Sequence, residues 1–198
     1  MGIDTMAEML APFGLGERTG IDTTGEQPGI LPSSEWKRRA LGEAWYPGET
    51  ISAGIGQGYM LATPLQLAQA TMVLANRGLS FVPSVVHHVD DLPVGGVART
   101  PLPMTEEDWD AVVAGMVDVV HSPRGTAALI ARGMDYEMAG KTGTSQVIGI
   151  AQDAVYDEET VSERNRNHGL FIAFAPVDKP RIVVAVIAEN GGGSSAAS

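Results

Sequence analysis

Three stretches in the second half of this 198-residue sequence constrain its fold most: residues 136–148, 169–175 and 181–188. The last two are runs of branched and aromatic residues with the length of buried strands, and the compact turn Pro176-Val-Asp-Lys-Pro180 joins them. The first is unlike them. Tyr136, Met138, Val147 and Ile148 bracket a centre of small residues, Ala139-Gly-Lys-Thr-Gly-Thr-Ser145, so it has a strand's flanks and little bulk between them. Three strands in succession, preceded by helical patterns, predict an α+β fold in which an antiparallel sheet is packed with helices.

The small-residue strand is where chemistry is expected. Alternate side chains of a strand point to opposite faces, so Lys141 and Gly143 go to one side and Thr142 and Thr144 to the other. Gly140 and Gly143 leave the backbone open to close approach. Such a strand presents an ammonium, two hydroxyls and free amides to an anionic substrate.

Helix signals fill the rest of the chain. Asp4 is a cap for a short helix with Met6, Met9, Leu10 and Phe13 on its apolar side, and Gly14 with Gly16 ends it. Residues 20–32 are turn-rich. Trp36, Trp45 and Tyr46 fall in a loop-rich region, where packing against the body is the first expectation and a cleft wall the second. Thr63-Pro64 starts a core helix whose face is Leu65, Ala68, Met72 and Ala75. Residues 81–89 read as a strand, and residues 90–103 as a connection broken by Pro93, Gly95, Gly96, Pro101 and Pro103. Thr105-Glu-Glu-Asp108 caps a second long helix with Trp109, Val112, Val113, Met116 and Val120 buried. Pro123 and Gly125 then break the chain before a short helix at 126–132. The connection 149–167 is long and charged, carrying Asp153, Asp157, Glu158, Glu159, Glu163, Arg164 and Arg166. In the tail, Ser194 or Ser195 is placed to cap a helix.

Composition narrows the classes. With 44% hydrophobic and 19% charged residues the chain is globular, and it has neither an internal repeat nor a second domain signature. A formal net charge of −11 argues against nucleic acid, or an anionic membrane surface, as a general partner. The absence of cysteine excludes disulfides and thiolate metal sites, and four scattered histidines offer no zinc spacing, so neither metal nor cofactor is expected. Met1 opens no signal peptide, and no apolar run is long enough to span a bilayer.

Lys141-Thr142-Gly143 is one of three motifs shared by serine penicillin-recognising enzymes, with Ser-x-x-Lys and Ser-x-Asn as the others. The tripeptide alone is more often an ordinary edge strand with a solvated lysine. It does not stand alone here: Met1-Gly-Ile-Asp4, Phe13-Gly-Leu-Gly16, Thr19-Gly-Ile-Asp22, Gly25-Glu26, Leu31-Pro-Ser33 with Trp36-Lys37, Trp45-Tyr46, Gly54-Ile-Gly-Gln-Gly-Tyr59 and Ala62-Thr-Pro64 precede it. Leu74-Ala-Asn76 follows in that series, then Ala139–Gln146 itself, His168, Ala173-Phe-Ala-Pro176 and Glu189-Asn-Gly191. In this order the segments resemble the transpeptidase domain of class B penicillin-binding proteins, most closely the elongation type, penicillin-binding protein 2.

The resemblance implies a penicillin-binding protein/β-lactamase-like fold and serine-type D-Ala–D-Ala transpeptidation of peptidoglycan stem peptides through an acyl-enzyme, in cell-wall elongation and cell shape. It implies β-lactams as ligands, an elongation-complex glycosyltransferase as a membrane partner, and a bacterial inner-membrane location with the domain in the periplasm. By position, Lys141, Thr142 and Gly143 belong to the catalytic set, Thr142 and Thr144 bind the substrate carboxylate, and the Thr144 N–H is an oxyanion-hole donor.

The family order places Ser-x-x-Lys and Ser-x-Asn upstream of Met-Gly-Ile-Asp. No Ser-x-Asn occurs in this sequence, and Ser34-Glu-Trp-Lys37 lies downstream of where the nucleophile belongs, so its match to Ser-x-x-Lys is read as a coincidence. Residues 1–198 are therefore expected to be the C-terminal portion of one transpeptidase domain, incomplete at both ends, without nucleophile, general base or final helix, and inactive alone. Three readings compete. A phosphate-binding loop ending at Gly140-Lys141-Thr142 fails at Asp135, where that loop needs glycine. A serine β-lactamase-like hydrolase and a non-catalytic penicillin- or peptide-binding module share the Lys-Thr-Gly wall.

Overall fold

The computed structural model describes residues 1–94, 96–99, 101–148, 161–193 and 196–197. The chain forms two compact units, Met1–Met104 and Thr105–Ser198. Among the described residues no helix is long and apolar enough to cross a membrane.

The first unit carries α1 (Ile3–Leu10), α2 (Ser34–Leu41), α3 (Pro47–Gly54) and α4 (Pro64–Ala75), followed by a small antiparallel hairpin of β1 (His88–Val89) and β2 (Leu92–Pro93). Thr63 starts α4 as expected: its hydroxyl accepts the Gln66 N–H at 3.1 Å, and Gln66 Oε1 accepts the Thr63 N–H at 2.9 Å. The face that α4 buries is not the expected apolar one. Of that face Ala75 is buried, but Leu65, Ala68 and Met72 are only half-buried, while Gln66, Gln69, Thr71 and Val73 are buried. The loops around α4 explain this, because their carbonyls need donors once they are shielded from water. Gln66 Nε2 donates to the carbonyls of Glu17 (2.7 Å) and Pro28 (2.6 Å), and Gln69 Nε2 to Ser80 Oγ (2.7 Å) and the Phe81 carbonyl (3.1 Å).

Two other expectations are corrected here. Gly2, not Asp4, precedes the first turn of α1. The Asp4 carboxylate instead accepts the Ser34 N–H at 2.8 Å and the Ser34 hydroxyl at 2.7 Å, so it serves the start of α2. Residues 81–89 form no continuous strand: Phe81 makes an isolated bridge to Ala98, and pairing resumes at His88. Pro83 has no N–H to give, and the next donors are taken by Asp22, which accepts the Ser84 hydroxyl (2.6 Å) and the Val85 (2.7 Å) and Val86 (3.1 Å) N–H groups.

Led by the Ser84 hydroxyl, those bonds favour the ionised form and lower the Asp22 pKa to about 2. A carboxylate with a depressed folded-state pKa stabilises the protein fully above its unfolded pKa, and that contribution is lost as pH falls through the folded value. The Tm advantage of wild type over Asp22→Asn is therefore expected to hold above about pH 4 and to shrink towards about pH 2. Thermal melts across that range check this, and a gap independent of pH would refute it.

The second unit carries α5 (Glu106–His121), β3 (Ala139–Ser145), β4 (His168–Ala175) and β5 (Ile182–Ala188). The three strands are antiparallel in the order β3-β4-β5, the sheet read from the sequence. Thr105 and Asp108 form the capping box of α5. Trp109, Met116 and Val120 lie in one buried stripe, while Val112, about 60° round the helix from Trp109, sits at its margin and is 40% exposed. Helix α5 packs on β3, and the core there is Val120, Ala127, Phe171 and Ala173, with Val119, Ile130, Ala131, Met138 and Ala197 around it. Residues 126–132 are consecutive tight turns, not the expected helix. The Ala127 N–H goes out to the Val119 carbonyl of α5 (3.0 Å), which takes the segment off a helical path. Of the charged connection, residues 149–160 lie outside the described residues, as do Gly95, Ser194 and Ser195; Glu163–Asn165 is a single turn of 3₁₀ helix.

Candidate active site

Strand β3 is fixed at its start by α5, where His121 Nε2 accepts the Met138 N–H at 3.0 Å. Its register with β4 runs without a bulge from Ala139 opposite Phe174 to Ser145 opposite His168. The alternation read from the sequence therefore holds: Gly140, Thr142 and Thr144 share a face with Phe171 and Ala173, and Lys141 and Gly143 take the other. Gly140 is required by packing, since a Cβ there would stand 2.7 Å from Phe171 Cζ. At Gly143 a Cβ would approach Leu170 Cβ to 3.3 Å, so that a side chain there would need Leu170 to give way slightly. Among the described strands, none pairs with the outer edge of β3.

On this edge strand the named side chains differ. Lys141 is exposed, and its Nζ donates to the Thr142 carbonyl at 2.7 Å. Thr144 is also exposed. Thr142 is only 7% exposed, and its Oγ1 lies 2.7 Å from Thr126 Oγ1. A backbone edge with an exposed ammonium and the exposed Thr144 hydroxyl suits a peptide that adds as a strand and ends in a carboxylate, with Lys141 as local positive potential. The phosphate-loop alternative falls, because Gly140-Lys141-Thr142 lies inside a strand and not in a loop opening a helix. Among the described residues, no group of three metal-ligating side chains occurs.

Ser34 and Lys37 form no nucleophile and base pair. The Ser34 hydroxyl is bonded to Asp4, while Lys37 is 1% exposed and places Nζ 2.6 Å from Glu49 Oε1 and 3.4 Å from Glu43 Oε2. Burial alone pulls the Lys37 pKa down, but the bonds to Glu49 and Glu43 outweigh it and the net shift is upward, the wrong direction for a general base. Its Nζ also sits 4.5 Å from the Tyr46 ring centroid, and Trp36 and Trp45 pack on Tyr59 with centroids 5.3 and 6.1 Å apart. Trp36 and Trp45 are half-buried in this packing, with Trp45 also lining a pocket beside Ile3 and Pro47, while Tyr46 is 59% exposed.

Sequence reasoning missed the neighbours of β3. Thr126 follows a helix break and belongs to no motif by which to pick it out. His168 and Asn190 fall within motif segments but carried no assigned role. In the structure Asn190 donates its N–H to His168 Nδ1 (2.9 Å) and its Nδ2 to the carbonyls of Arg164 (2.8 Å) and Arg166 (3.1 Å). This clamps the chain as it enters β4 opposite Ser145.

The family model for the penicillin binding protein transpeptidase domain matches residues 1–198. The peptidoglycan D,D-transpeptidase MrdA of Acinetobacter baumannii is 46% identical over 203 residues, an alignment covering 99% of this chain and 30% of that protein. The chain thus spans less than a third of that relative's length. The crystal structure of Pseudomonas aeruginosa PBP2 in complex with WCK 5153 superposes with a TM-score of 0.84 at 41% identity, covering 98% of this chain and 41% of that one. Helicobacter pylori PBP2 in its complex with MreC gives a TM-score of 0.81 at 30% identity, covering 99% of this chain and 34% of that one. With the family model matching residues 1–198 and a relative 46% identical over 99% of the chain, the chain belongs to the penicillin-binding protein transpeptidase domain family.

Proposed function

We propose that these residues form the Lys-Thr-Gly wall of a peptidoglycan D,D-transpeptidase that acts in cell-wall elongation and cell shape, and that they are the C-terminal portion of one transpeptidase domain. The observation that carries the reading is the pairing of an exposed Lys141 and Thr144 with a β3 edge that no described strand covers. A stem peptide adds along that edge, its terminal carboxylate meeting the hydroxyls of Thr142 and Thr144. A serine contributed from outside these residues attacks the D-Ala–D-Ala carbonyl, the Thr144 N–H stabilises the oxyanion, D-Ala leaves, and the acyl group passes to a neighbouring stem's amine. Penicillins acylate the same serine. The domain faces the periplasm from the inner membrane, beside an elongation-complex glycosyltransferase.

A face left bare supports the assignment to a larger domain. Ile182 (65%), Val184 (38%) and Val186 (41%) are exposed on the Phe171 side of β5, beside an apolar pocket of about 460 Å³ lined also by Tyr136, Met138 and Ala175. Further residues of the same polypeptide cover it in this reading.

Incubating the complete natural polypeptide with a penicillin, followed by intact mass and peptide mapping, is expected to show one stable acyl adduct on a serine outside residues 1–198. The 198 residues alone are expected to take no adduct. An adduct on Ser34 would overturn the assignment of the wall, an unlabelled complete protein would favour a non-catalytic module, and rapid turnover of the penicillin would make the protein a hydrolase.

A further inference from the structure

We infer that Thr126 is a positioning residue of the carboxylate-binding wall, donating its hydroxyl proton to Thr142 Oγ1 so that the Thr142 proton is free for the substrate carboxylate. The inference rests on the transpeptidase reading above and adds a residue to it.

The two Oγ1 atoms are 2.7 Å apart, and either can be the donor. Each hydroxyl has one proton. If Thr142 gives its proton to Thr126, it meets an anion with lone pairs only and repels it. If Thr126 gives, the Thr142 proton turns outward into a charge-assisted bond, strengthened because its own oxygen is accepting. A bound carboxylate selects the second order, so the anion is held by a two-hydroxyl relay.

Thr126 is built into place by its neighbours. A Cβ at Gly125 would lie 2.3 Å from the Val119 carbonyl oxygen and 2.5 Å from that of Asp118, so glycine lets the turn close on the end of α5. On the other side, Ala127 is 2% exposed within the core, and its N–H is bonded to the Val119 carbonyl at 3.0 Å. The backbone on both sides of Thr126 is thus held without the Thr126 hydroxyl, whose described bond is to Thr142.

The test uses the complete polypeptide as wild type, Thr126→Val and Thr126→Ser, and compares acylation by a penicillin with acylation by its methyl ester, which lacks the anion. Thr126→Val keeps the shape and removes the proton, so it should slow acylation by the acid about tenfold, the size of a lost bond to a charged group, and leave the ester rate almost unchanged. Thr126→Ser should behave as wild type. Equal slowing with acid and ester would make Thr126 a general structural element and overturn the inference, as would an unaffected acid rate beside an acylated wild type. A wild type that neither compound acylates would remove the transpeptidase reading itself.

Discussion

Replacing Lys141 by alanine in the complete polypeptide is expected to slow acylation by a penicillin at least about a hundredfold, the scale of removing one preorganised electrostatic group, while the fold melts almost as before. The separation of the two effects follows from where the side chain lies. Lys141 is exposed, and its described hydrogen bond runs to the carbonyl of the next residue, so its loss opens no cavity and breaks no bond between elements. Its electrostatic role is harder to replace. These 198 residues carry a formal charge of −11, so a ligand with a carboxylate gains from a cation placed where it binds. Added salt should cost the wild-type rate far less than the substitution does, because it screens the distant repulsive field more than the short-range contact with Lys141. Lys141→Arg, which keeps the charge but alters the donor geometry, should fall between the two. Acylation by Lys141→Ala within about threefold of wild type, with an unchanged melt, would take Lys141 out of the site.

How much of this could be read from the sequence depended on the range over which each feature is decided. The caps at Thr63 and Thr105, the strand character of 139–145 and the face alternation of Lys141 and Thr142 are set by residues within a few positions, and the structure has them as read. What failed was decided from afar. Gln66 is buried because loop carbonyls at Glu17 and Pro28 need its amide, a requirement that no helical periodicity contains. Residues 84–86 leave the strand state because Asp22, some sixty positions earlier, takes their donors. Thr126 meets Thr142 only once the turn after α5 has folded back onto the sheet. The motif located the candidate wall, and tertiary structure supplied the groups that orient it.

Phe171→Ala is expected to cost about 3–5 kcal/mol of stability, measured by chemical denaturation of the complete polypeptide, because its surroundings cannot fill the hole. Phe171 is 5% exposed, stands directly across from Thr142, and shares its core with Val120, Ala127 and Ala173, of which the two alanines have no atoms to spare. Gly140, beneath the ring, has none at all. That last point allows a sharper test than a single variant. Gly140→Ala alone should also destabilise, by about 1–3 kcal/mol, because its new Cβ would press on Phe171 Cζ at 2.7 Å and Cε2 at 3.0 Å. With the ring removed, the same methyl enters vacant space and offsets part of the cavity. Gly140→Ala with Phe171→Ala should therefore be more stable than the sum of the single losses by at least about 1 kcal/mol, a coupling typical of residues in direct contact. Strict additivity would mean that ring and glycine do not meet, and that the bare centre of β3 is kept for the substrate alone. Coupling of the expected sign would mean that Gly140 is kept by the core, leaving Gly143 and the exposed edge of β3 to serve the ligand.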